Sequence, residues 1–212
     1  MKFLPMVTAS LALALLGACN RDAAPAAATS PAPAPADTPA VQDKPYTDTQ
    51  LGFSVAVPAG MSLRHDFHRS YFGDGAWKAF ASPGSQGSPV LALVLQGSNR
   101  ITAAEMRLGV SSDADAVAHC LDAPEGVSNG KAAIEQRNGV TYTRFHAGDA
   151  AMNHYLEVEA YRTVRKQRCY AIDLMITGTN PEVYDPPATP PFDRAVAQQK
   201  LRDAFAGFRL LD

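Results

Sequence analysis

The chain has 212 residues, of which 46% are hydrophobic, 19% charged and 8% aromatic, and its 19 Lys and Arg against 21 Asp and Glu leave a formal net charge of −2. That is an ordinary globular composition. It excludes a nucleic-acid binder driven by bulk charge, which needs a basic surface to neutralise phosphates. No run of about eighteen apolar residues is present to span a bilayer as a helix.

The first residues read as an address. Met1-Lys2 supplies one positive charge, Leu4 to Leu16 is an apolar stretch, and Leu16-Gly17-Ala18-Cys19 follows. A charged start, a short apolar core and small residues before a cleavage point are the marks of a secretory signal, here over residues 1–18. The Leu-Gly-Ala-Cys tetrad resembles the bacterial lipobox. That resemblance implies cleavage before Cys19, whose thiol would carry a diacylglycerol as the mature N-terminus. Each buried lipid methylene contributes about 0.8 kcal/mol, so several acyl chains would hold the protein on a membrane without a spanning helix. In families that use an aspartate after the cysteine for inner-membrane retention, Asn20 implies the outer membrane instead, facing the periplasm.

Residues 19–45 then read as the lipidated cysteine and a tether. From Ala23 to Ala40 nearly every residue is Ala or Pro. Such a stretch buries no core and favours polyproline II at about 3.1 Å per residue, a reach of roughly 50 Å. Of the three cysteines, Cys120 and Cys169 remain. In an oxidising compartment a disulfide between them is the default expectation, with two buried thiols or a redox pair as alternatives. In the chain-entropy model a bridge closing that loop is worth on the order of 4 kcal/mol.

Residues 46–212 read as one globular domain, a size that buries a single core. Phe53, Val55 and Val57 alternate along a first strand that Pro58 ends. Trp77 to Ser82 and Val90 to Gln96 are apolar runs around a Pro- and Gly-rich turn, which predicts a hairpin. Thr102-Ala103-Ala104-Glu105 has the spacing of a capping box, with Ile101 and Met106 placed as a staple, which predicts a helix there. A second helix is predicted from Ser112, with Val117, Cys120 and Leu121 on its buried stripe. Asn138-Gly139 predicts a tight hairpin turn between Ala132–Arg137 and Val140–His146. Tyr155–Tyr161 alternates as a half-buried strand, and Cys169–Ile176, apolar on both faces apart from Asp173, reads as a central strand. With the disulfide, the helix carrying Cys120 covers the face shown by Cys169, Ala171 and Met175. Asp193 caps a last helix with Leu201, Ala204, Phe205 and Phe208 on its stripe and Gly207 as its stop. The order predicts an α+β domain, an antiparallel sheet carrying helices on its faces.

Leu51-Gly52-Phe53-Ser54-Val55-Ala56-Val57-Pro58-Ala59-Gly60 resembles the opening of the Mog1/PsbP-like family, in which a Gly-Phe strand ends in Pro-x-Gly. The capped last helix followed by Phe208-Arg209-Leu210 is similar to that family's end. The resemblance implies an α/β/α sandwich around a central antiparallel sheet of about six to eight strands. It also implies proteins that mostly bind or scaffold other proteins.

The chemistry-bearing patterns are few. His65 and His68 flank Asp66-Phe67, but no second Cys/His cluster completes a metal site, so no metal and no cofactor are expected. Gly-x-Ser-x-Gly, His-Glu-x-x-His, Walker A and dinucleotide glycine motifs are all missing from the sequence, which argues against an enzyme. Glu157 and Glu159 share a strand face at about 7 Å, and read as ordinary exposed glutamates. Arg162, Arg165, Lys166 and Arg168 gather around one turn and could meet an acidic partner or lipid headgroups. The long loop from Tyr184 to Phe192 carries aromatics at both ends, and loops carry function disproportionately. These six residues are the candidate interaction surface. The expectation is a membrane-anchored periplasmic lipoprotein that binds another protein as a scaffold module. The alternatives are an inhibitor or immunity lipoprotein against a cell-envelope toxin, or an envelope enzyme or small-ligand carrier.

Overall fold

The computed structural model describes residues 44–67, 76–124 and 128–212. The signal, Cys19, nearly all of the tether and His68 lie outside the described residues. In chain order the elements are β1 (Tyr46–Asp48), β2 (Phe53–Val55), β3 (Met61–Arg64), β4 (Ser88–Leu95), β5 (Thr102–Ser111), α1 (Ala114–Ala118), β6 (Ser128–Arg137), β7 (Val140–Ala151), β8 (His154–Arg165), β9 (Arg168–Thr179), a 3-10 turn (Pro181–Val183), α2 (Arg194–Ala206) and β10 (Phe208–Leu210).

A seven-stranded antiparallel sheet runs β3-β4-β5-β9-β8-β7-β6, and a small sheet runs β1-β2-β10. The apolar run predicted as central is β9, the fourth of the seven strands. Its neighbours are pinned by two-residue turns at Asn138-Gly139, Met152-Asn153 and Lys166-Gln167, every residue of which has positive φ. Turns of that hand match the strand twist and fix register, so each side chain from β6 to β9 has an assigned face.

One face is packed by α2 and the small sheet. Asp193 caps α2 by accepting from Val196 N at 3.0 Å, Gly207 ends it, and Ala197, Leu201, Ala204 and Phe205 are buried. Phe205 meets the rings of Tyr161 and Tyr142 at 4.3 and 5.3 Å. Around these gather Phe53, Phe208, Leu93, Met106, Ile172 and Leu174 in the main core. Each such side chain contributes about 1.5–3 kcal/mol on burial.

The opposite face corrects three expectations. Thr102–Ser111 is a strand, not a helix. All ten of its residues are buried, on both faces, so hydrophobic alternation is lost and the capping-box spacing is accidental. Asn99, not Thr102, accepts the local backbone bonds, from Ile101 N at 2.8 Å and Thr102 N at 3.2 Å. Trp77–Phe80 is not a strand but a turn-rich segment lying on the sheet with α1. The sandwich with helices on both faces is therefore not formed. Among the described residues a single long helix covers one face, and a loop segment with a five-residue helix covers part of the other.

Candidate functional site

The face under Trp77–Phe80 is where the polar chemistry concentrates. Register places Arg107 of β5 opposite Asp173 of β9, and Arg162 of β8 opposite Ala171, diagonal to Asp173. Four charged side chains thus share one buried surface. Arg162 Nη2 lies 2.7 Å from Asp173 Oδ1, with the two side chains 0% and 1% exposed. Arg107 Nη2 lies 2.5 Å from Glu105 Oε1, both again buried. Asp173 Oδ2 also accepts from Ala79 N at 2.7 Å, and this bond fastens the covering segment to the sheet. Arg162 Nη1 donates to the carbonyls of Tyr161 and Ile172, and its guanidinium stands over the Phe145 ring at 5.3 Å.

Arg162 Nε and Nη2, Asp173 Oδ1 and Glu105 Oε2 make no hydrogen bond, so the Arg162–Asp173 contact is an ion pair out of line for one. Burying charge is costly, and a pair of this kind recovers the cost only in part.

Trp77 roofs this surface. Its indole packs with Cys120, Cys169, Ala116 and Ala171 and donates to Ser85 Oγ at 3.1 Å. Cys120 and Cys169 are at disulfide-bond distance, with Cα atoms 5.6 Å apart, and join the end of α1 to β9. The covering is as anticipated for Cys169 and Ala171. Met175 instead sits under Ala79 and Phe80.

Between α1 and residues 78–85 lies a cavity of about 780 Å³. Lys78, Ala79, Phe145 and Arg162 line it, with Asp115, His119 and Asp122 also along its wall. Burial, and after it the charge of Arg162, holds the Lys78 amine below its ordinary range. His119 is exposed, and the hydrogen bond to Asp122 at 2.9 Å, with the charge of Asp115, raises its pKa.

The residues singled out in the sequence fare differently. The four basic residues are split by strand alternation. Arg162 points inward and is buried, which removes it from any surface patch. Arg165 pairs with Asp212, and Arg168 Nη1 donates to Gln50 O at 2.6 Å. Lys166 alone of the four is fully out in solvent. Tyr184 and Phe192 are half-buried: the Tyr184 ring lies under Arg100 at 5.6 Å and Phe192 packs against the main core. The loop's aromatics thus hold the loop down. A second cavity, of about 460 Å³, opens beside Phe192, Tyr155 and Thr102.

Glu157 is exposed and pairs with Arg194. Glu159, read as exposed, is buried between the sheet and α2. It accepts from Tyr161 at 2.7 Å, Gln198 at 2.8 Å, Arg202 at 2.9 Å and Arg144 at 3.3 Å. His65 is exposed and lies against Tyr46, with ring centroids 5.2 Å apart. Among the described residues no three His, Cys, Asp or Glu side chains are placed to hold a metal ion.

Lys78 and Arg107 were not singled out in the sequence, and Glu105 only as the end of a capping box. For Arg162 the signal existed. A two-residue turn at Lys166-Gln167 sets Arg165 opposite Arg168, and counting back puts Arg162 diagonal to the one carboxylate in an apolar run. No model of a known protein family matches the chain, and no curated protein matches it in sequence.

Proposed function

We propose that the chain is a lipid-anchored protein of the bacterial envelope, held through Cys19 on the periplasmic side of the outer membrane, and that its domain acts by binding another protein. The anchoring rests on Leu16-Gly17-Ala18-Cys19 behind its apolar stretch and ahead of the Ala- and Pro-rich tether. A tethered domain searches a shell around its anchor, which suits a binding module.

The observation that carries the binding surface is three exposed aliphatic side chains on or beside the disulfide-bearing face. Val164 is opposite Cys169 in register and Leu121 follows Cys120, so the two flank the bridge, 41% and 45% exposed. Ile134, 70% exposed, is opposite Thr143, which is opposite Arg162 on the same face. Isolated exposed apolar residues are ordinary, but several beside one partly covered sheet face favour a partner surface.

The test is a photo-crosslinking residue placed singly at Ile134, at Val164 and, as a control on α2, at Val196 in the living bacterium. A single protein adduct from the first two and none from the control is expected. Adducts as frequent from Val196, or none from Ile134 and Val164, would remove this surface.

A further inference from the structure

We propose that the cavity between α1 and residues 78–85 is a binding site for a small organic monocarboxylate with a compact apolar body. At about 780 Å³ it lies within the size range of small-molecule sites. Its polar pole is cationic. Arg162, at the floor of the lining, is fully buried, with Nε and Nη2 making no hydrogen bond. Its charge is met by Asp173 at 2.7 Å. Lys78 makes no contact ion pair with a carboxylate among the described residues; Asp173, Asp122 and Asp115 act on it only at longer range, and its ammonium lies over the Trp77 ring at 5.1 Å. A half-buried ammonium beside a guanidinium is stabilised by an anion brought between them. Burial and then Arg162 lower the Lys78 amine by more than the charges of Asp173, Asp122 and Asp115 raise it, so the cation is incompletely compensated in the free protein.

The charge count selects a monoanion. At the buried end Arg162 and Asp173 cancel and Lys78 is left over, while the exposed carboxylates of Asp115 and Asp122 along the same wall disfavour anything more negative. Both of these face His119, at 3.6 and 2.9 Å, which reduces their repulsion of a singly charged ligand. Ala79, Phe80, Phe145 and Ala123 give the wall an apolar patch, and Ser82 and Ser85 line the rest with the covering segment. A carboxylate seated on Lys78 would leave its apolar body against Phe145. The site is independent of the anchor and of the partner surface proposed above, since it stands on residues that neither uses.

The experiment is a titration of the full chain carrying Cys19→Ser, followed by amide and side-chain NMR, with acetate, phenylacetate and octanoate as probes and phenylacetamide as the neutral control. Saturable shifts at Lys78, Phe145 and the Arg162 Nε–H are expected from at least one of the two larger acids. Phenylacetamide should bind at least tenfold more weakly than phenylacetate. Lys78→Met should weaken binding at least tenfold and Lys78→Arg should retain it, each with an unchanged unfolding midpoint, because Lys78 reaches solvent. Lack of saturable shifts with every acid, equal binding of the amide, or undiminished binding to K78M would each overturn the proposal.

Discussion

A Cβ on Gly109 would overlap the Trp77 carbonyl oxygen, and one on Gly87 would overlap the Trp77 ring. These two positions form a slot that only glycine leaves open. The obstacle at Gly109 is backbone, which cannot swing aside as a flexible side-chain tip can. Gly109→Ala is therefore expected to lift residues 77–80 from the sheet, at a cost of about 3 kcal/mol, the upper end for overpacking. Trp77 is the one tryptophan of the chain, so its emission should shift to the red in the same variant. Urea unfolding followed by fluorescence reads both effects, and a variant with wild-type midpoint and emission would refute the slot.

Glu159 is the second residue whose environment predicts a measurement. Burial alone would raise its pKa, but bonds from Tyr161, Arg202 and Gln198 outweigh burial and hold it below the usual carboxylate range. The folded pKa then lies below the unfolded value of about 4.3. The ionised form stabilises the fold at neutral pH, and that contribution disappears as pH falls from the unfolded value through the folded one. Glu159→Gln should lose about 2 kcal/mol at neutral pH, the scale of a hydrogen-bonded charge. Its deficit against wild type should shrink in acid. A deficit that stays constant from pH 7 to pH 3 would show that charge is not what matters at this position.

At the scale of elements, what was legible followed from periodicity and turn chemistry. The last helix, its Asp193 cap and its Gly207 stop, the Asn138-Gly139 hairpin and the central strand β9 all carry local signals strong enough to survive packing. Thr102–Ser111 did not, because a strand enclosed on both faces has no solvent side to mark its period. Its two charged residues are hidden by pairing with each other. The cavity was illegible for another reason: Lys78, His119, Phe145 and Arg162 are brought together by register and by the bridge, not by spacing in the chain. That bridge matters because α1 has only five residues, far too few to persist on its own. Replacing Cys120 and Cys169 together by Ser should cost about 4 kcal/mol for a loop of this length. It should also expose Trp77 to quencher before global unfolding. Denaturant titration with acrylamide quenching checks both, and non-reducing peptide mapping of the wild type should recover the linked pair. Two freely alkylated thiols would remove the staple from this account.

For the whole molecule, the proposed anchor and the domain would make separable contributions. The domain carries its own core on both sides of the large sheet and needs no lipid to bury it. The lipid anchor proposed above would in turn need only Cys19 and the three residues before it, Leu16-Gly17-Ala18, behind the apolar stretch. Several acyl chains at about 0.8 kcal/mol per methylene bind a membrane in effect permanently, whereas a domain of net charge −2 has little electrostatic attraction to anionic headgroups. Cys19→Ser should therefore move the protein from the membrane pellet to the supernatant after ultracentrifugation while leaving its urea midpoint unchanged. The N-terminal peptide of the wild type should begin at Cys19 and carry the mass of its acyl chains. On the proposed anchoring, serine in place of the thiol would remove the nucleophile that accepts diacylglycerol and leave the apolar stretch from Leu4 to Leu16 unchanged. A Cys19→Ser protein that still sediments with membranes, or a wild-type peptide of unmodified mass, would assign the attachment to the domain surface instead.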